Sequence, residues 1–200
     1  MHFFKPASVL PGRLGILPGA FNPITIAHLA LARAALQHVD EVVFVVPRVF
    51  PHKTYSGASF SDRVEMLCDA TSDEPAFSIA TADGGLFVEI ADECRSAYGA
   101  DVRLSFLCGR DAAERIVNWD YGHPDAFVEM LRKFELLVAD RGGAYEPPPE
   151  YRAAIRCLDV SGVDSISATE VRERIARGEP WEHLVPPAII ERARRIYTRG

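Results

Sequence analysis

Five consecutive residues, Val42 to Val46, are apolar at every position, whereas a strand with one face in water alternates apolar and polar side chains. This pattern is typical of a strand that is covered on both faces, at the centre of a parallel sheet. Elsewhere, short apolar runs alternate with helical patterns, as the crossover connections between parallel strands require. The sequence therefore predicts an α/β fold with a parallel sheet and helices on both faces.

The predicted elements extend over nearly the whole chain, which is long enough for one hydrophobic core. We predict strands at 13–18, 41–47, 77–81, 102–108, 134–139 and 155–160, and helices at 25–38, 62–71, 86–97, 111–118, 125–133, 168–177 and 187–198. Residues 1–12 are interpreted as an N-terminal extension, and residues 13–200 as a single domain.

The overall charge limits the classes of ligand. A formal net charge of -6 gives no general attraction for nucleic acid or for an anionic membrane, although a local basic cleft remains compatible with it. A phosphate ligand must therefore be held by local groups. The four cysteines form no CxxC pair and are interpreted as buried, reduced thiols. No apolar stretch approaches the ~20 residues that span a bilayer, so we expect a cytoplasmic protein.

The turn after the first predicted strand has the features of a phosphate site. Gly19 allows the backbone to approach a ligand closely, and Thr25 begins an amphipathic helix. His28 lies three residues after Thr25, so both side chains share the first helical turn, beside its free N–H groups and positive dipole end. In isolation, a core or capping histidine would be the favoured interpretation of His28.

A second helix start, near the end of the chain, carries a comparable signal. Ser167 is the predicted N-cap of the helix at 168–177, and Glu170, three residues later, would complete a capping box. Arg172 lies on the same side of this helix as its opening turn. A guanidinium group beside a helix N-terminus suits a phosphate group.

Both segments match motifs of one superfamily. Residues 18–28 resemble the GGxFxPxHxGH signature of the HxGH nucleotidyltransferases without a gap, with Thr25 where the family has His or Thr, and Ala27 in place of the usual Gly. Residues 165–172 resemble the ISSTxxR motif. Two motifs in the right order, roughly 140 residues apart, are far more specific than either alone. The resemblance implies a Rossmann-like fold with a small C-terminal helical part. It also implies an ATP site formed by Gly19, Ala20, Phe21, His28, Gly109, Asp111, Ile166, Ser167, Thr169 and Arg172.

The segment from Phe106 to Asp111, followed by Trp119, resembles the G-x-D…W segment of nicotinate and nicotinamide mononucleotide adenylyltransferases. The resemblance implies that Gly109 and Asp111 bind the adenosine ribose and that Trp119 stacks on the pyridine ring. The implied acceptor-binding residues are Lys53, Trp119, Thr81 and Arg141. The alternatives are a solvated loop lysine for Lys53, ordinary packing for Trp119 and a surface arginine for Arg141.

The resemblance implies transfer of AMP from ATP to the phosphate of nicotinate or nicotinamide mononucleotide, with release of pyrophosphate. His28, Thr25, Arg172 and Lys53 would be catalytic, and Mg²⁺ would be carried by the substrate phosphates without protein ligands. The partners would be ATP and a small phosphorylated acceptor, with neither nucleic acid nor membrane.

One departure from the family affects the acceptor. The family usually has a Ser-Tyr-Thr stretch where this chain has residues 81–87, TADGGLF. The same fold could therefore use phosphopantetheine or a polyol phosphate as acceptor, or CTP as donor. A non-catalytic nucleotide sensor is the alternative from another class.

Overall fold

The computed structural model describes residues 1–8, 10–48, 57–123, 125–140, 145–160, 162–163 and 165–198. Within these residues, seven strands form one sheet: β1 (His2–Lys5), β2 (Arg13–Pro18), β3 (Glu41–Pro47), β4 (Phe77–Ala82), β5 (Arg103–Gly109), β6 (Glu135–Asp140) and β7 (Ile155–Asp159). The helices are α1 (Ile26–Ala35), α2 (Phe60–Ala70), α3 (Phe87–Tyr98), α4 (Arg110–Val117), α5 (Ala126–Lys133), α6 (Ala168–Arg177) and α7 (Ile190–Tyr197).

The sheet has the order β1-β4-β3-β2-β5-β6-β7. Strands β2 to β7 are parallel, and only β1 runs antiparallel, on the edge beside β4. From β2 the chain adds β3 and β4 on one side, then returns to add β5, β6 and β7 on the other. The order reverses between β2 and β5, and ligands of open α/β sheets bind beyond the carboxyl ends of the strands at such a point.

Two hydrophobic clusters cover the two faces of the sheet. One contains buried residues of α1, α2, α6 and α7, and the other contains buried residues of α3, α4 and α5. All seven residues of β3 are buried, because their side chains alternate between the two clusters. The chain therefore has the expected Rossmann-like fold with helices on both faces, and α6 and α7 form its C-terminal helical part.

Three details differ from the sequence predictions. Residues 2–5, within the proposed extension, form a strand that the sequence did not predict, and the Lys5 ammonium anchors it by donating to the carbonyls of Thr71, Glu74 and Phe77. Helix α1 ends earlier than predicted because its last turn tightens into i→i+3 hydrogen bonds. Cys157 is exposed, because it lies on the solvent side of a strand at the sheet edge.

No helix in the described part of the chain combines the length and the hydropathy needed to cross a membrane.

A buried carboxylate at the start of β3 provides a test of the packing. Glu41 is 1% exposed and accepts hydrogen bonds from the hydroxyls of Ser78 and Tyr98. Burial raises the pKa of Glu41 above its ordinary value, because the charged form loses hydration. The folded state thus keeps a proton that the unfolded chain releases, and this group lowers the free energy of unfolding as pH rises above about 4.5.

We therefore expect Glu41→Gln, which keeps an acceptor oxygen and removes the charge, to be more stable than the wild type at pH 8. The gain should shrink as pH falls towards 4.5, because Glu41 of the wild type is then protonated in the folded state. Thermal denaturation across this pH range would measure it. The exposed Glu150→Gln is the matched control. A gain that is the same at every pH would contradict this reading of Glu41.

Candidate functional site

The sequence motifs meet at the point where the strand order reverses. The first motif follows Pro18, the last residue of β2, and the Gly109-x-Asp111 segment follows β5, its parallel neighbour. Helix α6 reaches the same place, because the Arg172 guanidinium donates to the backbone carbonyl of Asn22 at 2.5 Å. Segments from three distant parts of the sequence therefore lie together beyond the carboxyl ends of the strands.

The turn between β2 and α1 is tightly packed on itself. The Gly19 N–H donates to the carbonyl of Val45 at 3.0 Å, which fixes the start of the turn on β3. The ring of Phe21 lies directly against Gly19, where a Cβ atom would be 3.0 Å from the ring Cζ. Phe21 itself has a φ of 47°, in the left-handed region that side chains rarely adopt. A side chain at position 19 would therefore have to displace the Phe21 ring by a few tenths of an ångström.

His28 is oriented by Thr25. The backbone N–H of Thr25 donates to His28 Nδ1 at 3.0 Å, and Thr25 Oγ1 lies 2.8 Å from the same nitrogen. An Nδ1 atom that accepts from a backbone N–H carries no proton, so in the neutral ring the proton is on Nε2. Thr25 is fully buried, whereas His28 is half-buried and packs edge-on against the Phe21 ring. This contact holds the imidazole at the first turn of α1.

Three side chains clamp the turn, and the sequence analysis assigned this role to none of them. Arg63 is buried and donates to the carbonyl of Ala20 at 2.9 Å, and Arg172 donates to the carbonyl of Asn22. The Tyr197 hydroxyl donates to Asn22 Oδ1, and burial raises the pKa of Tyr197, which therefore stays protonated at neutral pH. The sequences around Arg63 and Tyr197 carry no signal for these contacts.

The start of α6 has the predicted N-cap. The hydroxyl of Ser167 accepts from the backbone N–H of Glu170 at 3.1 Å. The carboxylate of Glu170 pairs with Arg174 at 2.8 Å instead of returning to the cap, so the predicted capping box is half formed. Arg172 also donates to the carbonyl of Ala168 and to Thr169 Oγ1. Its guanidinium is therefore fixed between the opening turn of α6 and the turn after β2.

The other predicted members of this motif differ in exposure. Ile166 is 9% exposed and belongs to the hydrophobic core beside α6 and α7. Ser167 is half-buried and Thr169 is exposed. Only a backbone group of Ile166 could therefore face a ligand, whereas the two hydroxyls border the helix N-terminus.

Trp119 and Asp111 share one surface cavity. Gly109 is the N-cap of α4, Asp111 is in the first turn of that helix, and Trp119 follows its end. The two side chains line a cavity of about 600 Å³ together with Glu114, Arg115 and Asn118. Trp119 is 57% exposed, although most large apolar side chains of this chain are buried. An exposed indole beside a carboxylate is suited to a flat, polar ligand.

The segment after β4 forms a turn that is held by carboxylates of α3. Glu93 Oε1 accepts from the N–H groups of Asp83 and Gly84, and Glu89 Oε2 accepts from those of Gly85 and Leu86. Four successive backbone N–H groups are therefore used inside the protein. Thr81 is 1% exposed, and its hydroxyl donates to the carbonyl of Val46 at 2.8 Å. In this structure its side chain lies inside the sheet and not on the surface that a ligand could reach.

Two of the predicted site residues, Lys53 and Arg141, lie outside the described residues. Of the others, the structure brings together Thr25, His28, Arg172 and the two helix N-termini. It places Asp111 and Trp119 in the neighbouring cavity. Among the residues that are described, no group of three or more His, Cys, Asp or Glu side chains is arranged to hold a metal ion.

The electrostatics of this site favour anions. Arg63 and Arg172 face the turn from two helices, and the N-termini of α1 and α6 contribute positive dipole ends. Preorganised donors of this kind bind phosphate groups and stabilise charge that develops on their oxygens. The Thr25 hydroxyl, which lies beside His28 Nδ1, is fully buried and cannot reach a substrate, so the geometry of the described residues suits alignment of phosphates.

Comparison with known proteins agrees with this geometry. A family model described as cytidylyltransferase-like matches residues 16–174. A probable nicotinate-nucleotide adenylyltransferase of Moorella thermoacetica is 31% identical and covers 94% of this chain and 92% of its own length. That of Treponema pallidum is also 31% identical, covering 94% of this chain and 98% of its own length.

Among solved structures, nicotinic acid mononucleotide adenylyltransferase of Plasmodium falciparum, complexed with NaAD, has the same fold with a TM-score of 0.68. It is 16% identical, and the match covers 90% of this chain and 95% of that one. The family model spans most of the chain, and the bacterial relatives match nearly all of it. The chain therefore belongs to the cytidylyltransferase-like family, in the branch that contains its nicotinate-nucleotide adenylyltransferase relatives.

Proposed function

We propose that this protein transfers an adenylyl group from ATP to the phosphate of a pyridine mononucleotide, with nicotinate mononucleotide as the preferred acceptor. The products would be the dinucleotide and pyrophosphate, and the reaction is a step of NAD biosynthesis, which we place in the cytoplasm. The proposal rests on one observation. His28, Arg172 and the N-termini of α1 and α6 lie together at the point where the strand order reverses. The names of the bacterial relatives support the choice of nicotinate.

The proposed chemistry is an in-line attack by an acceptor phosphate oxygen on the α-phosphorus of ATP. A new P–O bond forms to the acceptor while the bond between the α-phosphorus and the pyrophosphate oxygen breaks. The attacking oxygen is already ionised at neutral pH, so no strong base is required. The protein must bring two polyanions together and stabilise the charge that grows on the phosphate oxygens.

His28 is the proposed donor to the α-phosphate. Its Nδ1 accepts from the backbone N–H of Thr25, so the neutral ring presents an N–H at Nε2. Because Thr25 is fully buried, we propose that it acts through His28 as a positioning residue and does not touch the phosphate. This revises the direct contact that the motif alone implied.

Arg172 and the N-terminus of α6 are the proposed holders of the leaving pyrophosphate. The planar guanidinium already makes three hydrogen bonds that fix its position, so the side chain loses little conformational entropy when the ligand binds. Gly19, Ala20 and Phe21 would surround the nucleotide phosphates. Gly109 and Asp111 would contact the ribose.

Trp119 is the proposed stacking partner of the pyridine ring, because its indole is exposed in the cavity that it shares with Asp111. Lys53 and Arg141 keep their proposed roles towards the phosphates and the acceptor. Thr81 could affect the acceptor only through the backbone of the turn that follows it, since its side chain is buried.

We propose that Mg²⁺ binds together with ATP. Phosphate oxygens and water are the ligands that this ion prefers. When bound in this way, the ion neutralises phosphate charge. His28 and Arg172 then provide the directed hydrogen bonds.

Pyrophosphate release provides the test. We expect release from ATP and Mg²⁺ with nicotinate mononucleotide, and slower release with nicotinamide mononucleotide. Phosphopantetheine or glycerol 3-phosphate as acceptor, and CTP as donor, should give no signal above the rate without acceptor. Pyrophosphate release with only one of these alternatives would change the identity of the acceptor or of the donor, but not the family of the protein. ATP binding without consumption by any acceptor would indicate a nucleotide sensor and contradict the proposal.

A further inference from the structure

The opposite end of the sheet, at the amino ends of the strands, contains a second cavity of about 430 Å³. It lies where β2, β5, β6 and β7 begin and where α3 and α5 end. Arg13 begins β2, whose carboxyl end carries the proposed ATP turn about 17 Å away, at ~3.3 Å per residue. This cavity is therefore separate from the proposed active site.

The lining of the cavity is strongly basic, in a chain whose net charge is -6. One carboxylate, that of Glu135, belongs to the lining. The cationic side chains of the lining are Arg13, Arg95, Arg103, Arg132, Lys133 and Arg156. Holding like charges together is unfavourable unless an anion neutralises them. The concentration of positive charge at this one place therefore requires an explanation beyond solubility.

Part of this charge has no partner among the residues that the structure describes. Arg13 pairs with Asp40, and Arg156 lies 3.7 Å from Glu135. Over the described ranges of the chain, no carboxylate lies within ion-pair distance of Arg103, Arg132 or Lys133. Three cationic groups around one cavity match an anion that carries several negative charges.

The cavity also contains fixed polar groups. Arg95 donates to the backbone carbonyl of Lys133, which holds its guanidinium at the junction of α3 and α5. The Ser105 side chain is 8% exposed and lines the cavity, and its hydroxyl makes no hydrogen bond to any described residue. A hydroxyl that lines a cavity and has no partner among the described residues can donate to a bound ligand.

We propose that this cavity binds a small anion with at least two phosphate groups, such as inorganic pyrophosphate or the polyphosphate part of a nucleotide. Arginine side chains bind phosphate oxygens through paired hydrogen bonds, and the volume of the cavity is in the range of small-ligand sites. A nucleic acid strand fits less well, because the acidic protein as a whole repels it at longer range. The proposal concerns binding and does not depend on the proposed reaction.

Isothermal titration calorimetry of the full chain with inorganic pyrophosphate, without ATP or acceptor, would test this proposal. Titration with ATP in a second arm distinguishes free pyrophosphate from a nucleotide as the source. The exposed pair Arg103→Gln and Arg132→Gln, combined in one variant, should weaken binding at this site about a hundredfold, at about tenfold for the charge-assisted hydrogen bond that each arginine loses. Arg177→Gln with Arg195→Gln, two exposed arginines of α6 and α7, is the control with the same change of charge.

The Arg172→Ala variant separates the two sites. We expect it to keep the binding that depends on Arg103 and Arg132, whether or not it retains turnover. Equal pyrophosphate affinity in the Arg103/Arg132 variant and the control variant would overturn the proposal. Loss of all pyrophosphate binding in Arg172→Ala would also overturn it, because the binding would then belong to the other end of the sheet. If a single-stranded oligonucleotide binds in a way that depends on Arg103 and Arg132, and neither pyrophosphate nor ATP binds there, the proposal is overturned. The ligand of this cavity would then be a nucleic acid.

Discussion

Replacing His28 with alanine should lower the rate of pyrophosphate release about 10²–10³-fold, the usual effect of losing one preorganised donor to a developing negative charge. The imidazole is held by two contacts from Thr25, so its Nε2–H is already directed before substrate binds. Steady-state kinetics with ATP and nicotinate mononucleotide would measure the loss, which should fall mainly on kcat. A group that acts only in the transition state affects kcat more than KM.

His183→Ala is the matched control, because His183 is exposed on a short helical turn, remote in sequence from the motif at residues 18–28. It should keep wild-type kinetics. The variant at His28 also loses part of the N-terminal cap of α1, so its thermal denaturation has to be compared with that of the wild type. Near wild-type turnover in a folded His28→Ala protein would contradict the assignment of His28 as the donor.

Arg172→Lys should lower kcat/KM for ATP about 10²-fold although the charge is kept. The guanidinium donates at once to Asn22, Ala168 and Thr169, which ties α6 to the turn after β2. An ammonium group lacks the planar arrangement of donors, so it cannot bind a phosphate while it also holds this junction. The loss should appear both in the KM for ATP and in kcat, because the proposed role of Arg172 is to hold the ground-state nucleotide and the leaving pyrophosphate.

Arg174→Lys, two residues further on the same helix, is the control for this variant. Arg174 pairs with Glu170, and it is rotated by about 200° around the helix axis from Arg172, which contacts Asn22. A lysine can keep that ion pair, so kinetics close to wild type are expected. An effect of equal size in both variants would show that the stability of α6, and not contact with ATP, limits the rate.

The sequence predicted the sheet well because the physical signal for it is local. A strand covered on both faces has apolar residues throughout, and β3 was predicted with the bounds that the structure has. Ser167 was predicted as an N-cap because a hydroxyl at that position bonds to the backbone three residues later. The meeting of the motifs also followed from general rules, since parallel strands end at one edge of the sheet.

Other features could not be predicted because they depend on contacts between distant residues. The buried arginine at position 63 has the sequence environment of an ordinary helical surface. Strand β1 has only four residues and depends on pairing with β4 and on the three carbonyls that Lys5 binds. The burial of Thr25 could not be predicted either, because nothing in the motif shows that its side chain turns inward towards His28.

The clamp on Asn22 has a consequence for synthesis of the protein. Its side-chain oxygen accepts from Tyr197, and its carbonyl accepts from Arg172, residues made long after the turn itself. A nascent chain that still holds α6 and α7 inside the ribosome therefore has the ATP turn without these two supports. Of the clamping side chains described here, only Arg63 would be available by then. Such a chain should bind nucleotide weakly, so that ATP is captured by finished molecules and not by partly made ones.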